Sequence, residues 1–185
     1  MVATLQTTKI AHNNGTDAMT IDASGNVTTN GILNHGKPIG FSVGKSGNQS
    51  ITATNTKIES WATSIRGAFN TDGSGGTMLD LSTGIVTIPA DGYYQMNVNV
   101  RLDSFAGSYA YFDVARIESG SIQSALADRF GRTLQGNVSS NYEAFTLSML
   151  GYLTEDLTLA LWYRNSGDDN VTIDGDTYWS MFKVG

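Results

Sequence analysis

Cysteine is absent from the 185 residues, and proline occurs only twice. The first absence removes disulfides, thiolate metal sites and thiol catalysis together. Charged residues are also sparse at 15 %, and 11 Lys and Arg against 17 Asp and Glu leave a formal net charge of −6. The cations stand singly, as at Lys45, Arg66, Arg101, Arg132 and Lys183. Without a basic stripe the acidic surface repels phosphate backbones, so no nucleic-acid partner is expected. No apolar run approaches membrane-spanning length, so no membrane insertion is expected, and residues 1–20 lack a leader pattern, which points to synthesis in the cytoplasm. Nowhere do Ala, Leu, Glu and Lys gather at helical spacing.

What the chain does hold is glycine, 21 of them, and short stretches with a period of two. The clearest lies in 84–102, GIVTIPADGYYQMNVNVRL. Tyr94, Met96, Val98, Val100 and Leu102 are apolar, whereas Gln95, Asn97, Asn99 and Arg101 are polar. Only a strand alternates in this way, so one face belongs to a core and the other is wet or at an interface. Pro89 and Asp91-Gly92 form a turn before it, making two strands and a turn in all. Further strands are expected at 41–45, 56–59, 65–69, 79–81, 109–118, 142–150, 157–163 and 177–184, separated by polar, glycine-rich turns. Residues 119–141 read as one long irregular connection with room for a helical turn at 125–130. The expected fold is an all-β sandwich or jelly roll.

Residues 1–36 differ from the rest, because they contain no aromatic residue. Their apolar positions, Ile10, Met19, Ile21 and Val27, are separated by Asn-Asn-Gly, Ala-Ser-Gly-Asn and Thr-Asn-Gly clusters. Such short strands bury too little apolar area to offset the entropy of ordering them, so they need copies of themselves or a partner surface. The segment reads as an anchoring or shaft-like arm held by these four residues, with 37–40 as the hinge and 41–185 as the globular part. In that part, the strands 157–163 and 177–184 carry aromatics on both faces. One face can pack the core, while the other calls for a neighbouring copy.

The order of features resembles the C1q/tumour-necrosis-factor-like jelly roll. The residues that carry the resemblance are Phe41-Ser42-Val43, Ile65-Arg66-Gly67-Ala68-Phe69-Asn70, the Gly-x-x-Thr-x-Pro-x-x-Gly-Tyr-Tyr pattern from Gly84 to Tyr94, and the aromatic last strand Tyr178-Trp179-Ser180-Met181-Phe182-Lys183-Val184. It implies a ten-stranded jelly roll preceded here by a short β-rich arm. It also implies a homotrimer, with Tyr94, Trp162, Tyr178, Trp179 and Phe182 expected at the interface between copies. The arm, above all residues 18–29, is similar instead to segments of bacteriophage fibre and virion structural proteins.

Catalytic patterns are weak. His12 and His35 are the only histidines, both lie in the arm or hinge, and no Gly-x-Ser-x-Gly turn accompanies them. Gly44-Lys45-Ser46 resembles the end of a phosphate loop, yet Ile39 stands where its first glycine is needed. Glu155 and Asp156 are adjacent in a turn and diverge, so no enzyme activity is expected. Asp168, Asp169, Asp174 and Asp176 form an acidic cluster that offers oxygen ligands for a structural calcium, but turn chemistry also accounts for them. No other cofactor is expected. Tyr109, Tyr111, Tyr142 and Trp162 suit sugar stacking if exposed and packing if not.

These readings together give a non-enzymatic bacteriophage virion surface protein, a C1q-like knob whose arm docks on other virion proteins. Its loops 72–76, 120–123 and 168–176 would meet a host-surface glycan or protein as a short fibre. Capsid decoration (a cement or head-fibre role) and a cellular C1q-like recognition module are the alternatives.

Overall fold

A computed structural model describes residues 9–11, 17–21, 23–24, 27–29, 38–51, 55–63, 67–103, 109–122, 129–136, 142–165 and 171–184. Backbone contacts divide the chain into two units, Met1–Gly36 and Lys37–Gly185. In the first unit, β1 (Lys9–Ala11), β2 (Asp17–Ile21) and β3 (Val27–Thr29) form an antiparallel three-stranded sheet.

The second unit is a sandwich of two antiparallel sheets. One holds β4 (Gly40–Lys45), β5 (Gln49–Ile51), β7 (Trp61–Ala62), β8 (Phe69–Thr71), β11 (Gly92–Asp103), β15 (Tyr142–Leu153), β17 (Val171–Ile173) and β18 (Tyr178–Lys183). The other holds β6 (Asn55–Lys57), β9 (Leu79–Asp80), β10 (Ile85–Thr87), β12 (Tyr109–Glu118), β13 (Ser121–Ile122), β14 (Arg129–Gly136) and β16 (Thr158–Asn165). The chain passes repeatedly from one sheet to the other. β11 and β15 are neighbours in one sheet, for example, although β12 to β14 between them belong to the other.

The alternation in β11 is the clearest link from sequence to packing. Tyr94, Met96, Val98, Val100 and Leu102 are buried, and the residues between them face outward. Opposite lie Val86, Phe112, Val114, Leu159, Leu161 and Tyr163, which join the same core. Rings meet at the centre: Phe41 and Trp179 edge to face at 5.0 Å, and Phe112 and Phe145 at 4.7 Å. Each fully buried side chain of this size contributes roughly 1.5–3 kcal/mol.

β10 and β11 do not pair with each other, since the turn between them carries the chain from one sheet to the other. That turn is fixed by its own signature: the Tyr94 hydroxyl donates to Ala90 O at 2.7 Å, and Asp91 Oδ1 accepts from Glu155 N at 2.7 Å. The strand expected at 65–69 lies instead at Phe69–Thr71, because Gly67 turns the chain with φ of +76°. Within 119–141 there are two strands, β13 and β14, the latter aligned on β12 from Tyr109↔Gly136 to Ala115↔Arg129. A bonding partner along β12 outweighs the poor strand propensity of two glycines in RFGRTLQG. Gly40 pairs with Phe182, and Ile39 O accepts from Lys183 N at 2.9 Å.

Gly84, the first residue of the signature, has φ of +67°, and a Cβ there would lie 2.2 Å from the Ile58 carbonyl oxygen. Only glycine avoids both penalties.

Lys45, the residue of the rejected phosphate loop, is buried at the end of β4. Its Nζ donates to Gln49 Oε1 at 3.0 Å and to the Glu59 carbonyl, and lies 5.7 Å from the Trp61 ring centroid. Glu59, itself bridged to Lys57 at 3.1 Å, favours the charged form, but burial outweighs it and pulls the Lys45 pKa down to about 8. Between pH 8 and 10.5 the unfolded chain therefore binds a proton that the folded chain has lost, and stability rises with pH. Urea unfolding at pH 7.5 and 9.5 should show a gain of about 2 kcal/mol. Lys45→Met should abolish that pH dependence, and an equal gain in the variant would assign it elsewhere.

Candidate self-association face

The face that matters most is the outward side of the eight-stranded sheet. On β11 it consists of Tyr93, Gln95, Asn97, Asn99 and Arg101. Register places Tyr152, Leu150, Ser148, Thr146 and Ala144 of β15 beside them in that order. On the other side Phe182, Ser180 and Tyr178 of β18 stand beside Gln95, Asn97 and Asn99. Val184 follows, with its N–H on Tyr93 O at 2.8 Å.

All five large apolar side chains that are exposed among the described residues lie on this one face. They are Tyr93 at 53 %, Leu150 at 64 %, Tyr152 at 55 %, Tyr178 at 45 % and Val184 at 56 % relative exposure. Scattered exposed apolar residues need no explanation, but a set confined to one sheet face marks an interaction surface. Tyr93 and Tyr152 meet edge to face at 5.4 Å, and Phe182 rests against Phe69 at 5.4 Å.

Polarity changes along the face. Its middle is amide and hydroxyl: Ser148 Oγ donates to Asn97 Oδ1 at 2.8 Å, and Asn99 Nδ2 donates to Thr146 Oγ1 at 3.2 Å. A shallow cavity of about 160 Å³ opens there between Ser42, Asn97, Asn99, Thr146, Tyr178 and Ser180. At the far end Arg101 pairs with Asp176. These two cross-strand hydrogen bonds meet part of the polar capacity of the middle, which lowers the cost of covering it.

Of the five residues expected at a trimer interface, Tyr178 and Phe182 are on this face. Tyr94 and Trp179 are not, for both point into the core of their own chain at 1 % and 0 % exposure and offer nothing to a neighbour. Trp162 lies on the other sheet, already buried with Ala115, Ile117 and Ala160 and packed by Ile85. Tyr93, Leu150, Tyr152 and Val184 escaped the expectation. Their parity was visible, since Tyr93 alternates with Gln95 and Asn97, and Leu150 and Tyr152 with Ser148.

The acidic positions are taken up by turns. Asp174 Oδ1 accepts from Asp176 N at 2.7 Å, and Asp176 pairs with Arg101. Among the described residues no three acidic or histidine side chains converge as metal ligands. Asp168 and Asp169 lie outside the described residues, as do His12 and His35. In loop 72–76 Asp72 Oδ1 accepts from Ser74 N, Ser74 Oγ, Gly75 N and Gly76 N, which holds its carboxyl below the usual range. Asp80 is likewise lowered, to about 2, by the Ser82 hydroxyl and the amides of Thr83 and Ser82. Tyr111 is half-buried, and the side chains of Tyr109 and Tyr142 lie outside the description.

In the arm, register relates the four expected anchoring residues. Ile10 is opposite Met19 and Ile21 is opposite Val27. Met19 and Ile21 are two apart on β2, so all four positions share one face of the three-stranded sheet.

Neither the protein-family models nor the curated proteins give a match to the chain. Solved structures do. The Eiger TNF structure from S. frugiperda superposes with a TM-score of 0.59 at 13 % identity over 80 % of this chain and 94 % of that one. Murine APRIL at pH 5.0 gives 0.56 at 15 % identity over 80 % of this chain and all of that one. Identity this low speaks for architecture alone. The chain has the all-β, TNF-like jelly-roll fold.

Proposed function

We propose that the protein is a non-enzymatic surface knob that works as a homotrimer, built through the outward face of the eight-stranded sheet. The observation that carries this reading is the confinement of Tyr93, Leu150, Tyr152, Tyr178 and Val184 to that face. A lone chain would leave them in water, whereas copies arranged about a threefold axis cover them. The TNF-like fold and the resemblance in residues 84–94 support the same state. Sedimentation equilibrium at micromolar concentration should return three times the 19.8 kDa chain mass. A single-chain mass would remove the reading.

The finer role follows from the arm. Its similarity to phage fibre and virion segments supports a particle-bound knob, displayed at the virion surface as a short fibre tip whose loops touch a host glycan or protein. Three weak contacts on one rigid knob gain by avidity. The shortness of the arm's strands, three, five and three residues, favours capsid decoration as the second reading. Antibody labelling of purified particles separates the two by position on head or tail, and absence from every particle would refute both.

A further inference from the structure

We infer that the polar row across the middle of the outward face decides how many copies assemble, by holding a layer of bound water between them. The inference rests on the trimeric reading of that face and deepens it, since apolar contact supplies adhesion and the row supplies the choice of arrangement. Its basis is register. Ser42 of β4 pairs with Ser180 of β18, Ser180 with Asn97 of β11, and Asn97 with Ser148 of β15. Their strand neighbours Phe41, Val43, Met96, Val98, Trp179 and Met181 are buried, so the row itself faces outward. Four adjacent strands thus set serine, serine, asparagine and serine side by side with no apolar side chain among them. Leu150 and Phe182 border the row on one side, and Tyr178 borders it on the other.

Capacity, space and charge make water the occupant. The Ser148–Asn97 and Asn99–Thr146 bonds use the Asn97 amide oxygen and the Asn99 amide nitrogen. Among the described residues they leave the Asn97 nitrogen, the Asn99 oxygen and the Ser42 and Ser180 hydroxyls to bond elsewhere, donors and acceptors together. The cavity of about 160 Å³ opens between these same groups, and with about 30 Å³ as one water's share of liquid it has room for several. No charged side chain lines it, and Arg101 is paired with Asp176 at the far end of the face. An apolar side chain entering from a neighbouring copy strands the spare donors, whereas water bonds to donors and acceptors alike and joins one copy to the next. A copy that slips along the strands, or one copy too many, sets the row against Leu150 or Tyr152 and leaves its groups dry. Apolar contact alone does not penalise such an arrangement, but the row does.

Asn97→Val combined with Ser180→Val removes the spare groups and fills the cavity with residues that suit a strand. The full-length chain and this double variant are compared by native mass spectrometry and by sedimentation over a dilution series. The unchanged protein should give the three-chain mass alone. The variant should stay assembled down to protein concentrations about tenfold lower, and should add masses of more or fewer than three chains. Ser42→Val with Ser148→Val repeats the comparison if the first pair spoils the β circular dichroism spectrum. In the unchanged trimer, magnetisation should pass from long-lived water to the Asn97 side-chain amide. Absence of that transfer, or a folded variant that forms trimers alone or comes apart more readily than the unchanged protein, would overturn this inference and leave the trimeric reading standing. A single-chain mass for the unchanged protein would remove both.

Discussion

Leu150→Arg should convert the proposed trimer into single chains while leaving each chain folded. Leu150 is the most exposed of the large apolar residues on the outward face, beside Gln95 and one step from the Tyr93–Tyr152 pair. In an isolated chain a surface change of this kind alters stability by about 0.5 kcal/mol at most. In a trimer it removes roughly 2 kcal/mol of buried leucine per contact and adds the cost of enclosing a cation. A loss of about 3 kcal/mol per contact weakens association more than a hundredfold. Sedimentation should show the fall in mass, and circular dichroism an unchanged β spectrum. A trimer that survives the substitution would mean that copies meet elsewhere.

Trp179→Ala tests the opposite assignment. Trp179 was expected between copies, but it is fully buried in its own chain, edge to face with Phe41 and 5.6 Å from Trp61. Truncating a buried tryptophan costs about 3–5 kcal/mol, a large part of the 5–15 kcal/mol that holds a typical domain together. The variant should lose most of its stability at every protein concentration. Trp179→Phe should be far milder, because the indole Nε1 makes no hydrogen bond and only packing volume is lost. The midpoint of urea unfolding decides the matter. If the loss from Trp179→Ala shrank as protein concentration rose, the residue would belong to an interface after all.

The contrast between these two residues shows how far the sequence could be read. Alternation in β11 and β18 separated two faces correctly, and turn chemistry placed most strand boundaries within a few residues. Parity alone does not say which face is inside when both carry aromatics. For β18 that choice comes from long-range pairing, which sets Trp179 beside Val98, 81 positions away, and Tyr178 beside Asn99, 79 away. Such long-range register has no local signal. The same applies to β14, where Arg129–Gly136 becomes a strand through β12, and to Trp162, whose burial depends on Ala115 and Ile117 of a neighbouring strand. The arm was more legible, because its four apolar residues are related by pairings only six and nine positions apart.

The position of β18 has a consequence for how the protein is made. It lies between β11 and β4 in the middle of the eight-stranded sheet, bonded on both edges. Until residues 178–183 leave the ribosome, the growing chain holds two unpaired strand edges and a core without Trp179 and Met181. Folding of this sheet must therefore wait until β18 has been made, with sticky edges shielded in the meantime. The step that commits the knob to its shape is the arrival of β18.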